Sequence, residues 1–169
     1  GRGLLFLDAD TLARRMAPFA EAGWLIATHA IGDQAIEAVL DAYTKVYGDD
    51  VGASGARIEH AQILRPDLID RIAETGVRLC IQPLFAGSDA EHARHALGDS
   101  WPLAYAWRTA LDAGCDLVSG SDFPIEALNG VEPLLVLADQ LGDGGLELAL
   151  GLSTNAEAGR TRLSGPLGG

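Results

Sequence analysis

The chain has 169 residues, 48% of them hydrophobic, and carries 24 acidic against 12 basic side chains for a formal charge of −12. That is enough apolar material for one domain with its own core, and it excludes a disordered chain. The acid surplus repels polyphosphate and anionic lipid, which excludes nucleic acid and charged membrane surfaces as partners; the acid serves solubility. No run of about 18 apolar residues occurs, so no membrane-spanning helix is expected. The opening Gly1-Arg2-Gly3-Leu4 lacks both a Met and the layout of a signal peptide. This points to a first residue other than the natural start and leaves the cytoplasm as the default location. Cys80 and Cys115 lie near apolar runs and read as small buried hydrophobes, because a disulfide framework needs more cysteines in a shorter chain.

Asp10 is placed to cap a first helix over residues 11–22, stopped by Gly23 and interrupted by a helix-kinking Pro18. Residues 24–28 are apolar and partly β-branched, as in a buried strand. Asp33 is placed to cap a second helix, whose Ile36, Val39, Leu40, Tyr43 and Val46 recur at helical spacing. The Gly-rich residues 48–55 read as a loop and residues 57–61 as a second strand. Pro66 opens a helix carrying Leu68, Ile69 and Ile72, Gly76 stops it, and residues 77–81 form a third strand. The stretch 83–100 is long for a connection between strand and helix and reads as a lid or binding loop. A helix over 103–113 ended by Gly114, a strand over 117–119 and a helix over 131–141 with Pro133 in its first turn follow. The Gly-rich remainder holds one more helical stretch over 154–159, and the tail 164–169 reads as frayed or cut.

Four strand-then-helix units behind one helix define an α/β fold with a parallel sheet and helices packed outside it. His29 and His60 are 31 residues apart, one βα unit of a barrel. A complete (β/α)8 TIM barrel takes roughly 250 residues, so residues 1–169 are expected to form about half of one as a single partial domain. The edges of such a sheet are open and apolar, which leaves a homo-oligomer as a candidate means of covering them.

His29, His60 and Asp122 each close an apolar run that precedes a helix-like stretch. Singly, each has an ordinary structural explanation: a lone strand-end histidine is most often a satisfied structural residue, and an Asp before a turn is a turn former. Jointly they are side chains at successive strand ends, which is how a βα barrel builds an active site. Two imidazoles and a carboxylate suit a divalent metal of the zinc type.

The segments His29-Ala30-Ile31-Gly32-Asp33, Arg57-Ile58-Glu59-His60-Ala61-Gln62, Gln82-Pro83 and Gly120-Ser121-Asp122-Phe123-Pro124, in this order and spacing, resemble the amidohydrolase superfamily. Within it they are most similar to the amidohydrolase 3 group, which includes enzymes of the N-substituted formamide deformylase kind. The resemblance implies the C-terminal half of a TIM barrel. It implies that His29 and His60 match metal ligands ending strands five and six, and that Asp122 matches the catalytic carboxylate ending strand eight, beside the metal. The activity it implies is metal-dependent hydrolysis of carbon–nitrogen bonds other than peptide bonds, in an amide, N-formyl or cyclic amide small molecule. The cofactor is a divalent metal, with zinc expected, which lowers the pKa of water from 15.7 to about 7. Asp122 would take the proton of the attacking water and pass it to the leaving nitrogen. Full members of the group also carry a His-x-His pair at the end of strand one and a small β-sandwich. This chain has four histidines and no such pair, so it reads as part of a longer enzyme or of a truncated reading frame. Activity of the fragment alone stays open, since three protein ligands are usual for catalytic zinc.

Gln82, Asp33 and Arg108 are candidates for substrate contact, with a helix cap as the equal alternative for Asp33. Glu59, next to His60 in a strand, is expected to point the opposite way and to serve packing or a supporting hydrogen bond. Trp101, Tyr105 and Trp107 line a substrate pocket or pack a helix. His92 and His95 fall on one helical turn, and Ser121 reads as structural. Two other readings compete. One is a non-catalytic half-barrel acting as an assembly or binding module. The other is a phosphoesterase on the same scaffold, for which no convincing phosphate-binding Gly-rich loop or Arg cluster is found.

Overall fold

The computed structural model describes residues 3–126, 128 and 130–153. Short parallel strands β1 (Ala27–Ala30), β2 (Arg57–His60), β3 (Arg78–Ile81) and β4 (Leu117–Ser119) lie side by side in chain order in one sheet. Parallel neighbours need crossover connections. These are supplied by α2 (Asp33–Tyr47), α4 (Pro66–Thr75) and α7 (Trp107–Asp112), preceded by α1 (Ala9–Glu21) and followed by α8 (Glu132–Leu141). Short helices α3 (Val51–Ser54), α5 (Phe85–Ser88) and α6 (Ala90–Leu97), with 3₁₀ turns at Gly48–Asp50 and Gly98–Leu103, fill the longer connections. The expected α/β half-barrel pattern, parallel strands each followed by a helix, is the observed one.

The core lies between the sheet and the outer helices. Ile58, Leu79, Ile81 and Leu117 from the strands are buried under Ile36, Leu40 and Tyr43 of α2, Leu68 and Ile72 of α4, and Leu137 of α8. The apolar spacing in α4 drives this packing, and each fully buried Leu or Ile contributes about 1.5–3 kcal/mol. Pro66 sits in the first turn of α4, and Gly76, in the left-handed region, closes it with its N–H on the Ile72 carbonyl at 3.0 Å. Tyr43 binds α2 to two strands. Its hydroxyl donates to the Arg57 carbonyl at 2.7 Å and accepts from the Thr28 hydroxyl at 2.8 Å.

Several boundaries differ from the sequence expectation. Asp8, not Asp10, caps α1, taking the Thr11 N–H at 2.7 Å, while Asp10 pairs with Lys45 of α2. Pro18 lies inside α1 without ending it. The first strand starts at Ala27 instead of Trp24, and Trp24 is 68% exposed. Among the described residues β1 is an edge strand, so the apolar residues leading into it have a strand on one side only. Residues 48–55 are helical turns in place of a loop. The expected lid over 83–100 is also mostly helical, because Ala90-Glu91-His92-Ala93-Arg94-His95-Ala96-Leu97 is rich in helix formers. Helix α7 begins only at Trp107, since Tyr105 adopts φ +53° and interrupts the chain after the 3₁₀ turn. Residues 145–153 are helical beyond the Gly-rich turn. The helical stretch expected over 154–159 and the frayed tail over 164–169 lie outside the described residues. Among the described residues no helix is long and apolar enough to cross a membrane.

Candidate active site

The parallel register pairs His29 with Glu59 and Ala30 with His60. Strict alternation would therefore send the two imidazoles to opposite faces of the sheet. The backbone decides otherwise. His60 adopts φ +76° and Ala61 φ +45°, so the chain leaves β2 through the left-handed region that side chains rarely occupy. Two such residues cost on the order of 1 kcal/mol or more each. The outcome is an edge-to-face pair of imidazoles, with His29 and His60 ring centroids 4.6 Å apart at an interplanar angle of 72°. His29 is largely open and His60 is buried, its ring centroid 6.1 Å from that of Phe85 in α5.

Burial lowers the His60 pKa below its ordinary 6.5, and the charge of a protonated His29 lowers it further; Asp122, the Gln82 amide and Glu59 oppose the shift. The imidazole is thus held neutral at pH 7, the state in which a histidine binds metal. Its Nδ1 is sealed from water and has no hydrogen-bond partner. A sealed polar atom left so costs about 1–3 kcal/mol and calls for an explanation.

Glu59 is where sequence and structure part. It does not turn to the face away from the site, because register sets it beside His29 on one strand and beside Cys80 on the other. It pairs with Arg57 on the same strand. Cys80, read as a simple buried hydrophobe, sits half-buried in this row, and burial together with the Glu59 charge pushes its thiol up to about 12. The row His29, Glu59, Cys80 becomes visible only once strand register is known. Cys115 is buried, and its thiol contacts the Ile69 carbonyl at 3.6 Å.

Gln82 follows β3 directly and is 4% exposed. Its amide nitrogen donates to the Cys80 carbonyl at 2.9 Å, while its oxygen is sealed without a partner. Gly120 makes room for both: a Cβ there would lie 3.2 Å from Cys80 Sγ and 3.9 Å from Gln82 Nε2. Two residues on, Asp122 is exposed at φ +56°, and its charge reaches both His60 and Cys80. Ser121 serves the turn, accepting the Phe123 N–H at 3.3 Å.

The other candidates fall elsewhere. Asp33 opens α2 and pairs with Arg65 at 3.2 Å, as do Glu37 at 3.2 Å and Asp67 at 2.8 Å. It also lines, with His29, Ile31, Gln34 and Leu4, a cleft of about 640 Å³. Arg108 is held away from the histidine pair. Its guanidinium binds Asp112 at 2.9 Å and the carbonyls of Leu141 and Asp143, each at 3.1 Å. Trp107 is fully buried and Tyr105 nearly so, stacked edge-to-face with ring centroids 5.4 Å apart, which makes packing their role. Trp101 stacks on Tyr105 with Arg94 over its outer face. The N–H groups of Leu64 and Tyr105 bond the carbonyls of Leu103 and Gln62 at 2.8 and 2.7 Å, clamping the segment after α6 to the loop that follows His60. His92 and His95 are exposed on α6.

Among the described residues no three His, Cys, Asp or Glu side chains are gathered closely enough to hold a metal ion as a set. Two imidazoles, one buried and one open, fit a divalent cation by donor chemistry. They supply two donors where catalytic zinc takes three from protein.

Comparison with known proteins bears on the family and the fold. YtcJ of Bacillus subtilis (strain 168), a protein whose name places it among the amidohydrolases, is 39% identical over 134 residues, covering 79% of this chain and 24% of YtcJ. The Arabidopsis thaliana protein LONG AFTER FAR-RED 3 is 31% identical over 134 residues, covering 75% of this chain and 22% of its own. The chain therefore spans about a quarter of the length of these relatives. An uncharacterized metal-dependent hydrolase from Pyrococcus furiosus superposes with a TM-score of 0.75 at 28% identity, over 90% of this chain and 32% of that one. A second such hydrolase, from Pyrococcus horikoshii OT3, gives 0.69 at 26% identity over 92% and 30%. Ochratoxinase from A. niger, at 19% identity and TM-score 0.63 over 90% and 34%, shares the fold. The profile of the Amidohydrolase family matches residues 3–135, the stretch holding both histidines, Gln82 and Asp122, and by that match the chain belongs to the amidohydrolase family.

Proposed function

We propose that residues 1–169 form a partial barrel domain carrying one side of the active site of a metal-dependent hydrolase. Its substrate is a small molecule with a carbon–nitrogen bond other than a peptide bond, in an amide, N-formyl amine or cyclic amide. His29 and His60 hold a divalent cation, zinc by the affinity of imidazole for it. Such an ion, when bound, makes hydroxide available near neutral pH and polarises the scissile carbonyl. Asp122 takes the proton of the attacking water and returns it to the leaving nitrogen. Asp33, on the cleft beside His29, is the substrate contact this reading favours. The observation that carries the reading is the imidazole pair at 4.6 Å, assembled across two strands at the cost of a left-handed backbone at His60. The family match and the hydrolase neighbours support it.

Calorimetric titration of the chain with zinc tests it, run beside turnover of a panel of amides and N-formyl amines. Zinc is expected to bind at one ion per chain, weakly because two histidines are fewer than three ligands, and His29→Ala and His60→Ala each weaken it further. Zinc binding no stronger than that of the double variant would refute the reading. A second reading, the half-barrel as an assembly module, is favoured by exposed Phe19, Trp24 and Leu25 near β1 and exposed Phe123, Ile125 and Leu135 after β4. It predicts self-association without metal or turnover.

A further inference from the structure

We propose that the cleft beside His29 holds the non-reacting part of the substrate, and that this part is an uncharged apolar group, alkyl or aryl, with no carboxylate. The inference rests on the reading above, in which the carbon–nitrogen bond is cut at the histidine pair, and adds to it the class of group that bond carries.

The walls of the cleft are apolar. The chain ahead of α1 gives it Leu4 and Phe6, α1 gives Leu12, the turn after β1 gives Ile31, α2 gives Val39, and the loop after β2 gives Ile63. Leu4 is 75% and Phe6 83% exposed, and large apolar side chains gathered open on one wall mark a binding groove. The volume, about 640 Å³, lies within the roughly 300–1,000 Å³ of small-molecule pockets. Such pockets are mostly apolar and carry a few placed polar groups. Here His29 is one of these, so a ligand in the cleft lies against one imidazole of the pair.

The charges around the cleft decide what that group can carry. Among the described residues that line it there is no Lys or Arg. The N-terminus of α2 opens on it through Gly32, Asp33 and Gln34, and a helix N-terminus attracts anions. Asp33 already fills that place. One of its oxygens accepts the Gln34 N–H at 2.8 Å and the other meets Arg65 at 3.2 Å. Arg65 in turn faces Glu37 and Asp67, so three carboxylates share one guanidinium and the cluster is net negative. The Thr28 hydroxyl is engaged by that of Tyr43 at 2.8 Å. A substrate carboxylate would meet like charge and no cation, and burying it against apolar walls without a partner is costly. A neutral alkyl or aryl group gains there by leaving water.

The test is a backbone-amide NMR titration of the metal-free chain with phenylacetamide, with phenylacetate, which swaps the amide for a charge, and with acetamide, which lacks the ring. Phenylacetamide is expected to give saturable shifts at Leu5, Ile31 and Gln34, with a Kd at least about 10-fold below that of either other probe. Phe6 lies outside every helix and strand, so Phe6→Ser spares the fold and should weaken phenylacetamide at least about five-fold. Phe123→Ser, at an exposed phenylalanine after β4, should leave it unchanged. Phenylacetate binding as tightly as phenylacetamide, or no saturable shift in the cleft, overturns the proposal. So does self-association of the chain that Phe6→Ser abolishes, which would give the cleft to a second copy. No metal enters the measurement, so a failed zinc titration refutes the metal reading alone, and the cleft stands or falls by these shifts.

Discussion

Gly120→Ala is a sharp test of how the site is packed. Gly120 needs no left-handed backbone, and its N–H bonds the Ile81 carbonyl at 2.8 Å, so the substitution adds one methyl group and leaves the strand pairing intact. That methyl carbon would stand 3.2 Å from Cys80 Sγ, several tenths of an ångström inside a comfortable contact. Cys80 is held in β3, which is hydrogen-bonded to β2 on one side and β4 on the other, so its thiol is the freer group. The thiol must turn, toward Glu59 or Gln82. Overpacking of this kind costs about 1–3 kcal/mol, or roughly 2–4 °C in Tm per kcal/mol for a chain of this size. Urea denaturation of the native chain, Gly120→Ala, Cys80→Ala and the double variant reads the coupling. Since Cys80→Ala removes the sulfur that the methyl strikes, the double variant should lose at least about 1 kcal/mol less than the two singles combined. Additive losses would refute the contact and with it the claim that Gly120 keeps Gln82 and Cys80 in place.

Tyr43→Phe removes the hydroxyl that joins α2 to β1 and β2 and leaves the Arg57 carbonyl short of a partner. A loss of about 1–3 kcal/mol by chemical denaturation is expected, with zinc affinity unchanged. His60, whose pKa is lowered on folding, takes a proton more readily in the unfolded chain. Stability of the metal-free chain should therefore be full above pH 6.5 and decline as pH falls through the folded pKa, with a slope of at most about 1.4 kcal/mol per pH unit from this group. His60→Gln should flatten that part of the profile, and an unchanged profile would contradict the shift. Burial pushes Cys80 up to about 12 and Cys115 up to about 11, so both thiols stay protonated at pH 8. Iodoacetamide should label neither in the folded chain and both in urea, as mass spectrometry would show.

Much of the frame is legible along the chain. Pro66 and Gly76 bracket α4, the apolar positions of α2 face the core, and Leu117–Ser119 is a strand, all from local pattern. Boundaries that depend on neighbours were not legible. Trp24 and Leu25 have the composition of a buried strand, yet they lead into the strand that is an edge among the described residues and stay 68% and 53% exposed. Residues 83–100 carry loop-like glycines and charges, yet Ala90–Leu97 holds enough helix formers to be helical. The aromatic rings after it could have faced a ligand; contacts among Trp101, Tyr105 and Trp107 show them packing on one another.

The amino-acid order by itself determined the alternation of strand and helix, and the placing of His29, His60 and Asp122 at or just beyond strand ends, because both follow from periodicity and turn chemistry within a few residues. It also carried the family resemblance, which the match over residues 3–135 bears out. Only the tertiary structure decided which side chains meet. Register set Glu59 and Cys80 in line with His29, a left-handed turn swung His60 out of alternation toward His29, and Arg108 was drawn off to the end of α8. Side chains from different strands meet according to register and backbone twist, quantities fixed by packing over the whole sheet and carried by no single segment.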